Sequence, residues 1–130
     1  MACKDKKVYQ SASAPAAIGP YSVAVGGGPF MFTAGQIAID PATGELVPGG
    51  IEAQTRQVFL NLREILKAGN SDLDRIVKTT VFLLDMQDFA AMNKVYAEFF
   101  TCDPPARTTV QVSGLPKNAL IEIDAVALVE

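Results

Sequence analysis

An α+β fold, a mixed β-sheet with two helices on one face, is what the order of hydrophobic patterns along this chain predicts. Three observations carry that expectation. Two segments repeat apolar residues at helical spacing, and the segments around them are rich in β-branched and aromatic residues, as strands are. The length of 130 residues suits one core and not two. With 49% apolar and 19% charged residues the composition is that of a globular chain. No internal repeat, low-complexity tract or linker divides it, so residues 1–130 read as a single domain.

Taken in order, residues 7–10 are a short segment able to pair as a first strand. Small residues dominate 11–17, and Ile18-Gly19-Pro20-Tyr21 interrupts before an apolar stretch at 22–25. Gly26-Gly27-Gly28-Pro29 reads as a turn between two strands, the second running over 30–37. Asp40-Pro41-Ala42-Thr43-Gly44 is loop chemistry, because proline fixes one dihedral and glycine permits positive φ. Over 51–68, Ile51, Val58, Leu62, Ile65 and Leu66 fall on one stripe while Arg56, Arg63, Glu64 and Lys67 fall mostly elsewhere, which predicts a helix. Gly69 is placed to end it in a left-handed turn. Residues 76–84 predict a strand. Asp85 or a neighbour can cap a second helix with the stripe Phe89, Met92, Val95, Tyr96 and Phe99, which Pro104-Pro105 stops. Strands at 106–112 and 120–129, joined by a loop at 113–118, complete the order β-β-β-α-β-α-β-β.

Two helices can cover one face of such a sheet, and a water-facing second face would alternate apolar with polar residues. The strand at 76–84 carries Val77, Val81 and Leu83 on one side, but Ile76, Phe82 and Leu84 beside Lys78 and Thr80 on the other. The last strand sets Ile121, Ile123, Ala125, Ala127 and Val129 against Glu122, Asp124, Val126 and Leu128. Large contiguous apolar patches are seldom left exposed, so a partner subunit is expected over the second face.

Composition narrows the chemistry. Histidine is absent, which removes Ser-His-Asp and Cys-His nucleophile arrangements, histidine-built zinc sites and ribonuclease chemistry using a histidine pair. Cys3 and Cys102 lie far apart with no CxxC spacing, so neither a disulfide framework nor a zinc site is expected. No metal or other cofactor is expected. The net charge of −3 and the lack of any Lys/Arg cluster beyond Lys6-Lys7 disfavour nucleic acid as a partner. Apolar runs fall short of the roughly 20 residues of a membrane span. The charged N-terminus has no apolar run of a secretory signal, so a cytoplasmic protein is expected.

What remains for chemistry is carboxylates, arginine, lysine, tyrosine, backbone groups and water. Arg107 follows Pro104-Pro105-Ala106 at a strand start, and a guanidinium matches a carboxylate with two parallel hydrogen bonds. Glu122, on the less apolar side of the last strand, could orient a water or move protons, and burial would raise its pKa. An exposed strand arginine and a solvated strand glutamate are the ordinary alternatives. The two residues lie on consecutive strands able to pair antiparallel. Gly35, between Ala34 and Gln36 in a strand, permits close approach of a ligand or another backbone, or marks a bulge. Tyr21 could set a hydroxyl over a pocket, and Asn93 falls beside the second helix's apolar stripe, where a buried amide needs partners.

The stretch Pro105-Ala106-Arg107-Thr108-Thr109-Val110-Gln111-Val112, with Leu115-Pro116-Lys117 and Leu120-Ile121-Glu122-Ile123, resembles the signature of the Rid family, also called the YjgF or reactive-intermediate deaminase family. Ile18-Gly19-Pro20-Tyr21-Ser22, Ala34-Gly35-Gln36-Ile37, Val77-Lys78-Thr79-Thr80-Val81-Phe82-Leu83 and Met92-Asn93-Lys94-Val95-Tyr96 match further motifs in order. The resemblance implies a chorismate-mutase-like (YjgF-like) fold and a homotrimer with clefts between subunits. It also implies hydrolytic deamination of enamines and imines such as 2-aminoacrylate, 2-iminobutyrate and 2-iminopropanoate to 2-oxo acids and ammonia. On that resemblance Arg107 clamps the substrate carboxylate and Glu122 positions and activates water. Tyr21 closes the cleft from a neighbouring subunit, and Ala34, Gly35, Asn93 and Thr109 line it. Members similar to the deaminase subgroup carry serine where Ala34 stands and cysteine where Thr109 stands, which matters little if those contacts use backbone groups. A 2-oxo-acid-binding protein without turnover and an endoribonuclease for single-stranded RNA are the alternative readings.

Overall fold

A computed structural model describes residues 5–129; Cys3 lies outside the described residues. The strands are β1 (Lys7–Tyr9), β2 (Ala24–Gly27), β3 (Phe30–Thr33), β4 (Ile76–Leu83), β5 (Ala106–Gln111) and β6 (Ile121–Leu128). The helices are α1 (Ile51–Ala68) and α2 (Phe89–Phe99). The order of elements is the predicted one. All six strands form one sheet in the order β1-β2-β3-β6-β4-β5, antiparallel throughout except for the β4–β5 pair. No helix among the described residues is long and apolar enough to cross a membrane.

Both helices pack on one face. Ile121, Ile123, Ala125 and Ala127 of β6 and Val81 and Leu83 of β4 join Val58, Phe59, Leu62 and Leu66 of α1 and Met92 and Tyr96 of α2 in one buried cluster. Burying an aliphatic or aromatic side chain of this size contributes about 1.5–3 kcal/mol, so this cluster is what holds the helices to the sheet. The opposite face stays open. Phe32 is 47% exposed and Val110 38% exposed. Glu122, Asp124, Val126 and Leu128 alternate with the buried β6 residues and are only partly covered.

Four local expectations need correction. The first concerns β5, which does not pair with β6. Strand β4, helix α2 and strand β5 form a crossover, which returns the chain parallel to the strand it left. Thr79 therefore faces Arg107 across β4–β5, while β6 takes the other edge of β4 and sets Glu122 opposite Phe82. Second, a register shift between Ile76 and Lys78 buries Ile76 and exposes Val77, reversing the sides expected for both.

Third, Gly69 does not take the left-handed conformation at the end of α1, having φ −104°. Asn70 does, with φ 57°. A Cβ on Gly69 would lie 2.7 Å from Met31 Sδ, so close packing favours glycine there. Fourth, the strand expected over 30–37 breaks after Thr33. Capping before α2 is divided as well: Asp85 Oδ1 accepts from the Gln87 N–H at 2.9 Å and caps a short 3₁₀ turn, Met86–Asp88, that leads into the helix.

Candidate functional site

The break after Thr33 builds one half of the site. Phe32 pairs with Val126 and Gln36 pairs with Ile123, so this segment spends one more residue than β6 over the same distance. Such a bulge bends the strand and re-aims its side chains. Gln36 and Ile123 exchange backbone hydrogen bonds of 2.8 and 3.1 Å across it. The next residues are pinned from α1, where Asn61 Nδ2 donates to the Ile39 carbonyl at 2.8 Å. Within the bulge a Cβ on Gly35 would collide with the Glu122 carboxylate, 2.7 Å from its Cδ. Gly35 therefore leaves the space that Glu122 fills.

Glu122, Gly35, Ala34 and Tyr21 line one cavity of about 310 Å³, with Ile18 and Pro116 among its apolar walls. Tyr21 is 46% exposed, and its hydroxyl accepts from the Ile18 N–H at 3.3 Å. Burial, and then the charge of Asp124 two residues along, raises the Glu122 carboxyl above the usual glutamate range. Asp124 is raised too, by burial, against the opposing pull of hydrogen bonds from Thr80 and the charge of Lys78. A carboxyl in this setting holds its proton to higher pH than a solvated one, which suits proton transfer.

Arg107, Asn93 and Thr109 form the other half, on the helix side of the sheet. Arg107 shares a row with the buried Thr79, and its guanidinium lies 4.7 Å from the ring centre of Tyr96 and 5.5 Å from that of Phe89. No carboxylate among the described residues forms a salt bridge with it. Asn93 is half-buried and sits four residues from Phe89 and three from Tyr96, so helical spacing sets it on the same stripe. Thr109, two residues from Arg107 on the same strand face, carries a buried hydroxyl with no hydrogen-bond partner. Leaving such a hydroxyl unsatisfied costs about 1–3 kcal/mol.

The seven residues expected at the site thus fall into two clusters on opposite faces of the sheet: Arg107, Asn93 and Thr109 on one, and Glu122, Gly35, Ala34 and Tyr21 on the other. The antiparallel pairing open to the strands of Arg107 and Glu122 is not formed, because β4 lies between β5 and β6. Phe89 and Tyr96, assigned from sequence to the core stripe, are contacts of Arg107 that the spacing alone did not single out. The strand–helix–strand order was the available signal, since it brings α2 beside β5. No group of three or more His, Cys, Asp or Glu side chains able to hold a metal comes together among the described residues.

The family described as Endoribonuclease L-PSP matches residues 11–129. A RutC family protein of Pyrococcus horikoshii is 54% identical over 125 residues, covering 96% of this chain and 99% of that protein. The 2-iminobutanoate/2-iminopropanoate deaminase of Mus musculus is 46% identical over 123 residues, covering 95% and 91%. Among solved structures, E. coli TdcF with bound serine superposes with a TM-score of 0.90 at 40% identity, covering 95% of this chain and 99% of that one.

Proposed function

Because the chain belongs to the Endoribonuclease L-PSP family, known also as the Rid family, we propose that it hydrolyses small 2-imino acids and their enamine tautomers to 2-oxo acids and ammonia. The observation that carries this reading is an arginine without a carboxylate partner on one face and, in a cavity on the other, a glutamate whose pKa burial raises. Each cluster is half a site. They become one site where the Arg107 side of one protomer meets the Glu122 side of the next, and a closed homotrimer supplies three such junctions. The open apolar face with Phe32 and Val110 supports assembly.

In this reading Arg107 grips the substrate carboxylate through its paired N–H donors, and the Thr109 hydroxyl donates beside it. Asn93 lines the same wall. Across the junction, Glu122 takes a proton from a water as its oxygen bonds to the imine carbon. The carboxyl delivers that proton to nitrogen, giving a carbinolamine; Glu122 then passes the hydroxyl proton to the same nitrogen as the C–N bond breaks and the C=O bond forms, releasing ammonia and a 2-oxo acid. Tyr21 closes the cavity over the reacting atoms. Imines already react with water, so holding the reactants and assisting proton transfer is enough to supply several kcal/mol of acceleration. A small amino acid bound in the related TdcF and the deaminase activity named for the mouse relative support the substrate class.

The test is ammonia release from an imine generated in situ by a threonine dehydratase. Added protein should speed release, and Arg107→Ala should lose about 100-fold or more of kcat/KM while keeping fold and mass, because the lost bonds are to substrate. Decay of the imine at the same rate with and without the protein would overturn deamination and leave a 2-oxo-acid-binding protein.

A further inference from the structure

We infer that Phe89 and Tyr96 are positioning residues that hold the Arg107 guanidinium against α2 and keep its donors turned toward an anion. The inference rests on Arg107 being the carboxylate clamp. Arginine is a long side chain, and on an edge strand it would sample many rotamers unless something fixes it. The usual fixing partner is a carboxylate, which would occupy the donors and cancel the charge that the substrate needs. Aromatic rings attract a guanidinium through the negative potential of their faces without cancelling its charge, and the Tyr96 hydroxyl, which also accepts from Arg107, engages only part of its five-donor fork.

The two rings are built for this. Phe89 and Tyr96 stand two helical turns apart on α2, at 5.5 and 4.7 Å from the guanidinium. Tyr96 is itself fixed: its hydroxyl and Thr79 Oγ1 lie 2.8 Å apart in a hydrogen bond, and its ring meets Phe59 edge-on at 5.3 Å. Thr79 is also the residue opposite Arg107 in the sheet. Thr79, Tyr96 and Arg107 therefore close a triangle joining β4, α2 and β5. Phe89 is 38% exposed, a large apolar residue whose contact with Arg107 gives it a role that core packing does not.

The experiment measures KM and kcat in the imine assay, and the Kd for 2-oxobutanoate by calorimetry, for Phe89→Leu, Tyr96→Leu, Tyr96→Phe and Arg107→Ala, with Phe89→Leu and Tyr96→Leu repeated in the Arg107→Ala background. Phe89→Leu and Tyr96→Leu should raise KM and Kd about tenfold, with kcat changed by less than about twofold. Tyr96→Phe keeps the ring and should restore KM to within about threefold of the parent. In the Arg107→Ala background both leucine substitutions should leave the weakened Kd unmoved, since nothing remains to position. If Tyr96→Leu fails to fold, the partly exposed Phe89 carries the test. Unchanged KM and Kd in Phe89→Leu, or an equal change with and without Arg107, would overturn the inference while leaving the clamp intact. Parent-like activity of Arg107→Ala would overturn the clamp itself.

Discussion

Glu122 and Gly35 are one feature at two positions, because the carboxylate occupies the volume that any side chain at 35 would need. Gly35→Ala has to push either the carboxylate or a backbone held by the Gln36–Ile123 bridge, and the carboxylate is the softer of the two. A displacement near 1 Å at a reacting group costs roughly 100-fold, so Gly35→Ala should lose about that much turnover with an unchanged circular-dichroism spectrum. The protonation of Glu122 carries a stability signature of its own. Burial raises its folded-state pKa above 4.5, so the folded chain binds this proton more tightly than the unfolded one. The stabilisation is fully present below pH 4.5 and is lost as pH rises through the raised value, where the buried carboxylate ionises beside Asp124. Glu122→Gln should therefore melt higher than the parent at pH 8, and the difference should shrink as pH falls toward 4.5 in a series of thermal melts. Equal melting temperatures at every pH would mean that this carboxyl is not perturbed.

At the scale of elements, Gly69 shows how two opposed effects are decided. Its φ of −104° is open to any residue, so Gly69→Ala should gain about 0.4–1 kcal/mol by restricting the unfolded chain. The added Cβ would also stand 2.7 Å from Met31 Sδ, and Met31 has no exposed surface through which to give way. Overpacking of this kind costs about 1–3 kcal/mol, so the clash prevails and denaturant midpoints should fall. The sequence had assigned Gly69 to a turn, and that role belongs to Asn70. The same division separates what was legible from what was not. Periodicity is a property of a segment, and it delivered the bounds of α1 and the order of all eight elements. Pairing is a property of two segments. A bulge was one of the readings open at Gly35 from sequence, but which reading holds there, the shift at Val77 and the place of β5 all depend on a neighbouring strand. Only the crossover rule spoke to β5, and applying it to β4, α2 and β5 would have parted Arg107 from Glu122 at once. For the site, motif resemblance nominates the residues, while their distribution over two faces needed the sheet.

At the scale of the molecule, that distribution makes the number of chains a matter of chemistry. Arg107 lies against α2 and Glu122 lies under the bulge on the far face, with β4 between their strands. If a site takes Arg107 from one protomer and Glu122 from the next, light scattering should give about three times 13.8 kDa. The sharper consequence is complementation. Arg107→Ala retains Glu122 and Glu122→Gln retains Arg107, yet neither variant alone can form a complete site. Unfolding the two together in equal amounts and refolding them should assemble mixed trimers in which about one quarter of junctions join an intact arginine to an intact glutamate. Ammonia release should then recover to about one quarter of the parent, from near nothing in either variant alone. A site contained within one chain predicts the opposite result, because every chain in the mixture carries a lesion and mixing repairs none of them. Recovery would therefore require both a shared crevice and the participation of both side chains, whereas its absence in correctly sized mixed trimers would return the chemistry to a single protomer.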